Sequence, residues 1–179
     1  AAAGSAVALH ARERSAGGAA LARAAGRLLA LARPAEAAVF VSGRPDVAAA
    51  LGAHGVQLAV EDLTPVDARR LLPDAWIGRS VHSEAEAATA VEEGADYLLV
   101  GNVYETASHP GRPAAGLALV RAAAALGRPV IAIGGIDAGR AVEARDAGAW
   151  GVAAIAALWW APDPAAAALA LLAPWAADT

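Results

Sequence analysis

The stretch Val130-Ile-Ala-Ile-Gly-Gly-Ile136, followed by Asp137, carries the plainest fold signal in this chain of 179 residues. Four apolar residues, three of them β-branched, read as a short buried strand that two glycines bring to a turn. Asp137 is placed to cap a helix running to about Ala147, and Gly148 is placed to stop it. The same strand, turn and helix pattern recurs outward in both directions. Strands are expected over Ala6–Arg12, Ala37–Ser42, Gly55–Val60, Ala75–Ser80, Asp96–Gly101, Pro129–Gly134 and Ala149–Ile155, with helices between them. Thr64 before Pro65 and Ser83 three residues before Glu86 supply helix starts, and Gly94 supplies a stop. Strands that alternate with helices call for an α/β protein with a parallel sheet.

No Ser/Gly/Pro linker divides the chain, so residues 1–179 are expected to form one domain. Seven strands are one short of a closed barrel of eight. The one long irregular connection runs from Glu105 to Ala115, with Ser108-His-Pro-Gly-Arg-Pro113 at its centre.

Composition removes several functions. The 14 basic residues are all Arg, the 18 acidic residues outnumber them, and the net charge of −4 leaves no cationic stripe for nucleic acid or a membrane surface. Without Lys there is no Schiff base, and with no Cys there is no thiolate or disulfide, which fits a cytoplasmic setting. The longest uncharged stretch, Ala147 to Pro162, is shorter than the roughly 20 residues that span a bilayer. Nothing at the N-terminus has the form of a signal peptide. Walker and dinucleotide-binding fingerprints are absent.

Polar residues gather at the expected strand ends. His10, Arg12 and Arg14 share parity and form either an anion-binding wall or a solvated edge beside Glu13. Arg79, Ser80 and His82 repeat that theme one strand end later. Gly134 and Gly135 either make a tight turn or present amides to a phosphate at a helix N-terminus. Asn102, the only Asn, ends another strand, and His109 in the long loop is a candidate general acid or base. His54 reads as structural and Asp62 as a lone carboxylate. Trp159-Trp160 reads as packing or a subunit contact.

In chain order, His10-Ala-Arg-Glu-Arg-Ser15, Val41-Ser-Gly-Arg-Pro-Asp46, His54-Gly-Val-Gln-Leu58, Ile77-Gly-Arg-Ser-Val-His-Ser83, Ala95-Asp-Tyr97, Val100-Gly-Asn-Val-Tyr-Glu-Thr106 and Ala132-Ile-Gly-Gly-Ile136 resemble the thiamin phosphate synthase and TenI superfamily over nearly the whole chain. The resemblance implies a TIM (β/α)8 barrel whose first β/α unit lies before residue 1. Synthases of that superfamily carry an Asn-Asp pair in a magnesium-pyrophosphate site, where this chain has Ser42-Gly43. Asp62 matches their second metal carboxylate, and His109 stands where their loop lysine stands. Loss of one carboxylate and the lysine points away from coupling chemistry. The Arg-Glu-Arg-Ser, Ile-Gly-Arg-Ser-Val-His-Ser and Glu-Thr forms resemble the TenI-like thiazole tautomerases instead.

The expectation is therefore a TenI-like isomerase of thiamin biosynthesis that needs neither metal nor cofactor and aromatises a thiazole carboxylate phosphate. His109, or a water held by Asn102, would move the proton, because Asn102 occupies the family's histidine position. The phosphate would rest on the amides of Gly134 and Gly135 and on those near Ile155 and Ala156. Arg12 and Arg14, beside His10, would take the carboxylate, and Ser80 with His82 would line the ring pocket. A thiamin phosphate synthase with an altered metal site and a non-catalytic phosphate-ligand-binding or regulatory protein are the alternatives. The partner implied is a small phosphorylated thiazole, and the Ala-rich helices and paired Trp residues leave a homodimer open.

Overall fold

Each of the seven apolar runs forms a strand in the computed structural model, which describes residues 3–13, 17–106, 111 and 113–178. They are β1 (Ala8–Ala11), β2 (Ala38–Ser42), β3 (Gly55–Leu58), β4 (Trp76–Val81), β5 (Tyr97–Val100), β6 (Val130–Ile133) and β7 (Gly151–Ala153). The helices are α1 (Gly18–Ala32), α2 (Pro45–Leu51), α3 (Pro65–Arg69), α4 (Glu84–Glu92), α5 (Gly116–Ala124), α6 (Ala138–Asp146), α7 (Ala156–Trp159) and α8 (Pro164–Leu172). Parallel strands in chain order, each followed by a helix, make this the TIM (β/α)8 class, with seven strands among the described residues.

Two compact units divide the chain: residues Ala1–Arg79 with Glu93–Ala95, and residues Ser80–Glu92 with Asp96–Thr179. In the first, β1 pairs with β2, β2 with β3 and β3 with β4, all parallel. Strand side chains alternate between faces, so Val39 and Val41 turn to the helix side. Val41 packs with Leu21, Ala25, Val47 and Ala48, while Val39 packs with Ala32 and Leu28. Alanine at Ala25 and Ala48, both fully buried, brings helix backbone close to strand. Each buried Val contributes about 1.5–3 kcal/mol through lost apolar contact with water. The opposite parity carries His10, Phe40, Ser42 and Gln57, matched across strands as His10 with Phe40 and Ser42 with Gln57.

In the second unit β5 pairs with β6 and β6 with β7, again parallel. Leu98, Val100, Val130 and Ala132 are buried, as are Val120 of α5 and Ala141 and Ala144 of α6. The helix starts follow local chemistry. Thr64 Oγ1 accepts from Asp67 N at 3.2 Å and Asp137 Oδ1 accepts from Arg140 N at 2.9 Å, leaving fewer orphan amides. Ser83 Oγ accepts from Glu86 N at 3.2 Å, while the Glu86 carboxylate reaches one residue further back than a capping box does, taking His82 N at 2.7 Å. Among the described residues no helix is long and apolar enough to cross a membrane.

Candidate functional site

At the strand ends of the first unit, the turn after β3 presents Asp62. Its carboxylate accepts from Ala59 N at 2.7 Å, and it faces Gly43, where an added Cβ would lie 3.1 Å from both carboxylate oxygens. The guanidinium of Arg79 binds that turn from below, donating to the carbonyls of Ala59 at 2.8 Å, Leu63 at 3.0 Å and Val60 at 3.1 Å. Arg79 therefore holds the loop and does not present its charge as the strand-end pattern suggested. Ser42 Oγ is buried with no hydrogen-bond partner among the described residues, an unmet polar atom at the same strand end as Gly43.

His10 and Arg12 are exposed at the end of β1. The His10 ring tilts against Phe40, with centroids 5.5 Å apart. Surrounding protein atoms, and secondarily the Arg12 guanidinium, push its pKa down to about 4, so it is neutral at pH 7 even though part of its surface meets solvent. His54 Nδ1 accepts from Val39 N at 3.0 Å, the structural role its sequence context indicated.

The second unit joins the end of β5 to the turn after β6. Three successive carbonyls of that turn are occupied on one side: Ile133 O takes Val103 N at 2.8 Å and Gly134 O takes Tyr104 N at 3.0 Å, and Gly135 O takes Arg140 Nη1 at 2.7 Å. A planar trans peptide aims its carbonyl and the following N–H in opposite senses. The amides of Gly134, Gly135 and Ile136 accordingly point away from these partners, and none of them has a hydrogen-bond acceptor among the described residues. Both glycines sit at positive φ, 102° and 66°. An added Cβ would come within 2.5 Å of Asn102 at Gly134 and 2.6 Å of Glu105 O at Gly135. Only glycine allows this turn to lie against the β5 end. The result is a row of free backbone donors at the start of α6, suited to an anion.

Asn102 is buried, and its Nδ2 donates to Tyr104 O at 3.2 Å. Its amide organises this loop and cannot serve as a general acid or base near pH 7. Tyr104 Oη donates to Glu143 at 2.7 Å and its ring lies beneath Arg140, whose guanidinium carbon is 4.5 Å from the ring centroid. Burial first, and then the bond to Glu143, raise the Tyr104 pKa to about 12. His82 is drawn to the start of α4, with Nδ1 3.2 Å from the Glu86 carboxylate. Ser80 is half-buried on β4. Ile155 and Ala156 are exposed where the four-residue helix α7 begins. Trp159 and Trp160 keep 72% and 78% of their surface exposed, so they pack no core. Arg14 and His109 lie outside the described residues.

The sequence reading missed the Tyr104, Arg140 and Glu143 assembly and the loop-holding role of Arg79. An Arg at a strand end and a Tyr after a strand are visible signals, but their partners are not.

Comparison with known proteins places these features among relatives. The family model described as thiamine monophosphate synthase (TMP-TENI) matches residues 1–158. A thiamine-phosphate synthase of Thermus thermophilus is 52% identical over 147 residues, covering 81% of this chain and 71% of the relative. One from Streptomyces avermitilis is 49% identical over 132 residues, covering 72% of this chain and 61% of the relative. The solved thiamine phosphate pyrophosphorylase of Pyrococcus furiosus superposes with a TM-score of 0.87 at 36% identity, covering 97% of this chain and 84% of that one. These relatives overturn the tautomerase expectation, because the proteins of about half identity bear the synthase name and not that of the TenI-like branch. Magnesium keeps several waters and takes substrate phosphate oxygens, so one lost carboxylate does not exclude diphosphate chemistry.

Proposed function

Because the chain belongs to the thiamine monophosphate synthase family, we propose that it is a thiamine-phosphate synthase, a transferase that couples a phosphorylated thiazole to a pyrimidine carried as its diphosphate, with pyrophosphate leaving. The observation that carries this reading is the row of three amides at Gly134, Gly135 and Ile136 that have no acceptor among the described residues, a ready cradle for the phosphate of the thiazole. Asn102 and Tyr104 hold the β5 end against it.

The resemblance implies magnesium with the leaving pyrophosphate. Among the described residues no group of three or more His, Cys, Asp or Glu could cage a metal. A site of one carboxylate, substrate oxygens and water fits instead, and Asp62 would be its protein ligand. The tight approach of Asp62 to Gly43 and the unmet Ser42 Oγ leave polar capacity at that strand end. When bound, the ion neutralises charge gathering on the departing pyrophosphate. Arg79 keeps Asp62 in place through the loop carbonyls, and Arg12, in the same unit, adds positive charge for the diphosphate. Ser80 and His82 are assigned to the organic part of the ligand.

The test supplies phosphorylated thiazole, the pyrimidine diphosphate and magnesium to the protein and follows thiamine phosphate and pyrophosphate together. Stoichiometric appearance of both is expected. Absence of both, with the protein folded and magnesium in excess, refutes the reading.

A further inference from the structure

We propose that Arg140 and Tyr104 are positioning residues which set the phosphate cradle before any ligand arrives, by holding the Gly135 carbonyl turned away from it. The inference rests on the assignment of a phosphate monoester to the Gly134-Gly135-Ile136 amides. Ile133 O and Gly134 O are held by the backbone amides of Val103 and Tyr104, bonds that no side chain makes. The third carbonyl has no such backbone donor among the described residues. Among the described residues Gly135 O is held only by the side chain of Arg140, at 2.7 Å, and that bond directs the Ile136 N–H the opposite way.

Arg140 is in turn placed by its surroundings. Its own amide caps onto Asp137 at 2.9 Å, fixing where the side chain leaves α6. Its guanidinium lies over the Tyr104 ring, 4.5 Å from the centroid, a contact that is attractive by charge and quadrupole. Tyr104 is tied by its hydroxyl to Glu143 on the same helix at 2.7 Å. The ring also sits against the turn, since an added Cβ on Gly135 would meet Tyr104 Cβ at 2.9 Å. One cation thus joins the β5 loop, the turn after β6 and the first turn of α6. With Nη1 on Gly135 O and its face on Tyr104, Arg140 acts on a phosphate through the backbone and not by direct contact.

Three proteins decide the matter, each at full length: wild type, Arg140→Gln and Tyr104→Phe. The probe is inorganic phosphate, followed by the backbone amide signals of Gly134, Gly135 and Ile136. In wild type those three signals should move on titration. In Arg140→Gln the Gly135 and Ile136 signals should already be displaced or broadened without phosphate, and affinity should fall about ten-fold, the scale of one lost charged hydrogen bond. Tyr104→Phe keeps the ring and loses only the tie to Glu143, so a weakening of about two- to three-fold is expected. Unchanged affinity in Arg140→Gln overturns the proposal. So does weaker binding with ligand-free amide signals identical to wild type, which would make Arg140 a direct anion contact. Should Arg140→Gln not fold, Arg140→Lys replaces it, and full wild-type affinity there overturns the proposal. Wild-type amides that ignore phosphate also overturn it. Wild-type amides that bind phosphate in a protein that forms no thiamine phosphate instead remove the synthase reading and leave the clamp standing.

Discussion

Replacing Gly134 by Ala tests whether the turn after β6 is glycine because of its backbone angle or because of what it lies against. The two causes can be separated with Gly127, which also has positive φ, 76° against 102° at Gly134, but has nothing within 4 Å of an added Cβ. At Gly127 an alanine meets only the strain of a left-handed backbone, about 1–2 kcal/mol. At Gly134 the same methyl would also lie 2.5 Å from Asn102 Cβ and 2.6 Å from its Cα. That is far inside the 3.5–4.0 Å of ordinary carbon contacts. Backbone cannot swing aside as a flexible side chain would, and overpacking of this kind costs about 1–3 kcal/mol more. Gly134→Ala should therefore lose about 3 kcal/mol and Gly127→Ala about half of that. For a domain of this size these become falls in Tm of about 6–12 °C and about 3–6 °C. Urea unfolding of both variants, with equal m-values required, gives the difference directly. The phosphate titration is the second readout: Gly134→Ala should weaken binding, and Gly127→Ala should leave it as in wild type. Equal losses of stability for the two variants would refute the close-approach argument, because strain alone would then account for both.

Other perturbations probe the remaining joints of the site. Asp137→Ala removes the cap of α6 and should cost about 1 kcal/mol, read as a lower urea midpoint, with weaker phosphate binding because α6 begins at the cradle. Arg79→Gln should speed amide exchange at Ala59 and Asp62 while amides of β5 and β6 keep their rates; unchanged exchange in the 59–63 turn would show that Arg79 does not hold it. Asp62→Asn should raise the magnesium concentration needed for half-maximal coupling, with little change in Tm, and chelation should abolish coupling in wild type. The fold raises the Tyr104 pKa from 10.0 to about 12, so it favours the neutral phenol. The stability this gives is fully present below pH 10 and is lost as pH rises through about 12. Tyr104→Phe should flatten the fall in stability over that window in alkaline urea titrations, leaving the part due to buried Tyr97, whose pKa is also raised.

The distance in sequence between interacting residues decides which of these features can be read without coordinates. The strand Val130–Ile133 and the Asp137 cap involve neighbours within four positions, and both stand where the residue pattern puts them. Thr64 and Pro65 open α3 for the same reason. The fold class follows from such local units repeated. The branch of the family is not legible in the charges of single motif residues, because substrate oxygens and water complete a magnesium shell.

What the sequence determined alone is the alternation of strands and helices, their caps, the exclusion of lysine and cysteine chemistry, and the family resemblance. All of these rest on residue type and short spacing. Tertiary structure decided what the polar residues do once there. Arg79 spends its donors on a turn 16 to 20 residues earlier in the chain, and Tyr104 meets Glu143 across 39 residues. Gly134 must be glycine because Asn102 lies against it. Such contacts depend on how strand ends converge in space, and no local pattern encodes which arginine finds a carbonyl and which faces a ligand.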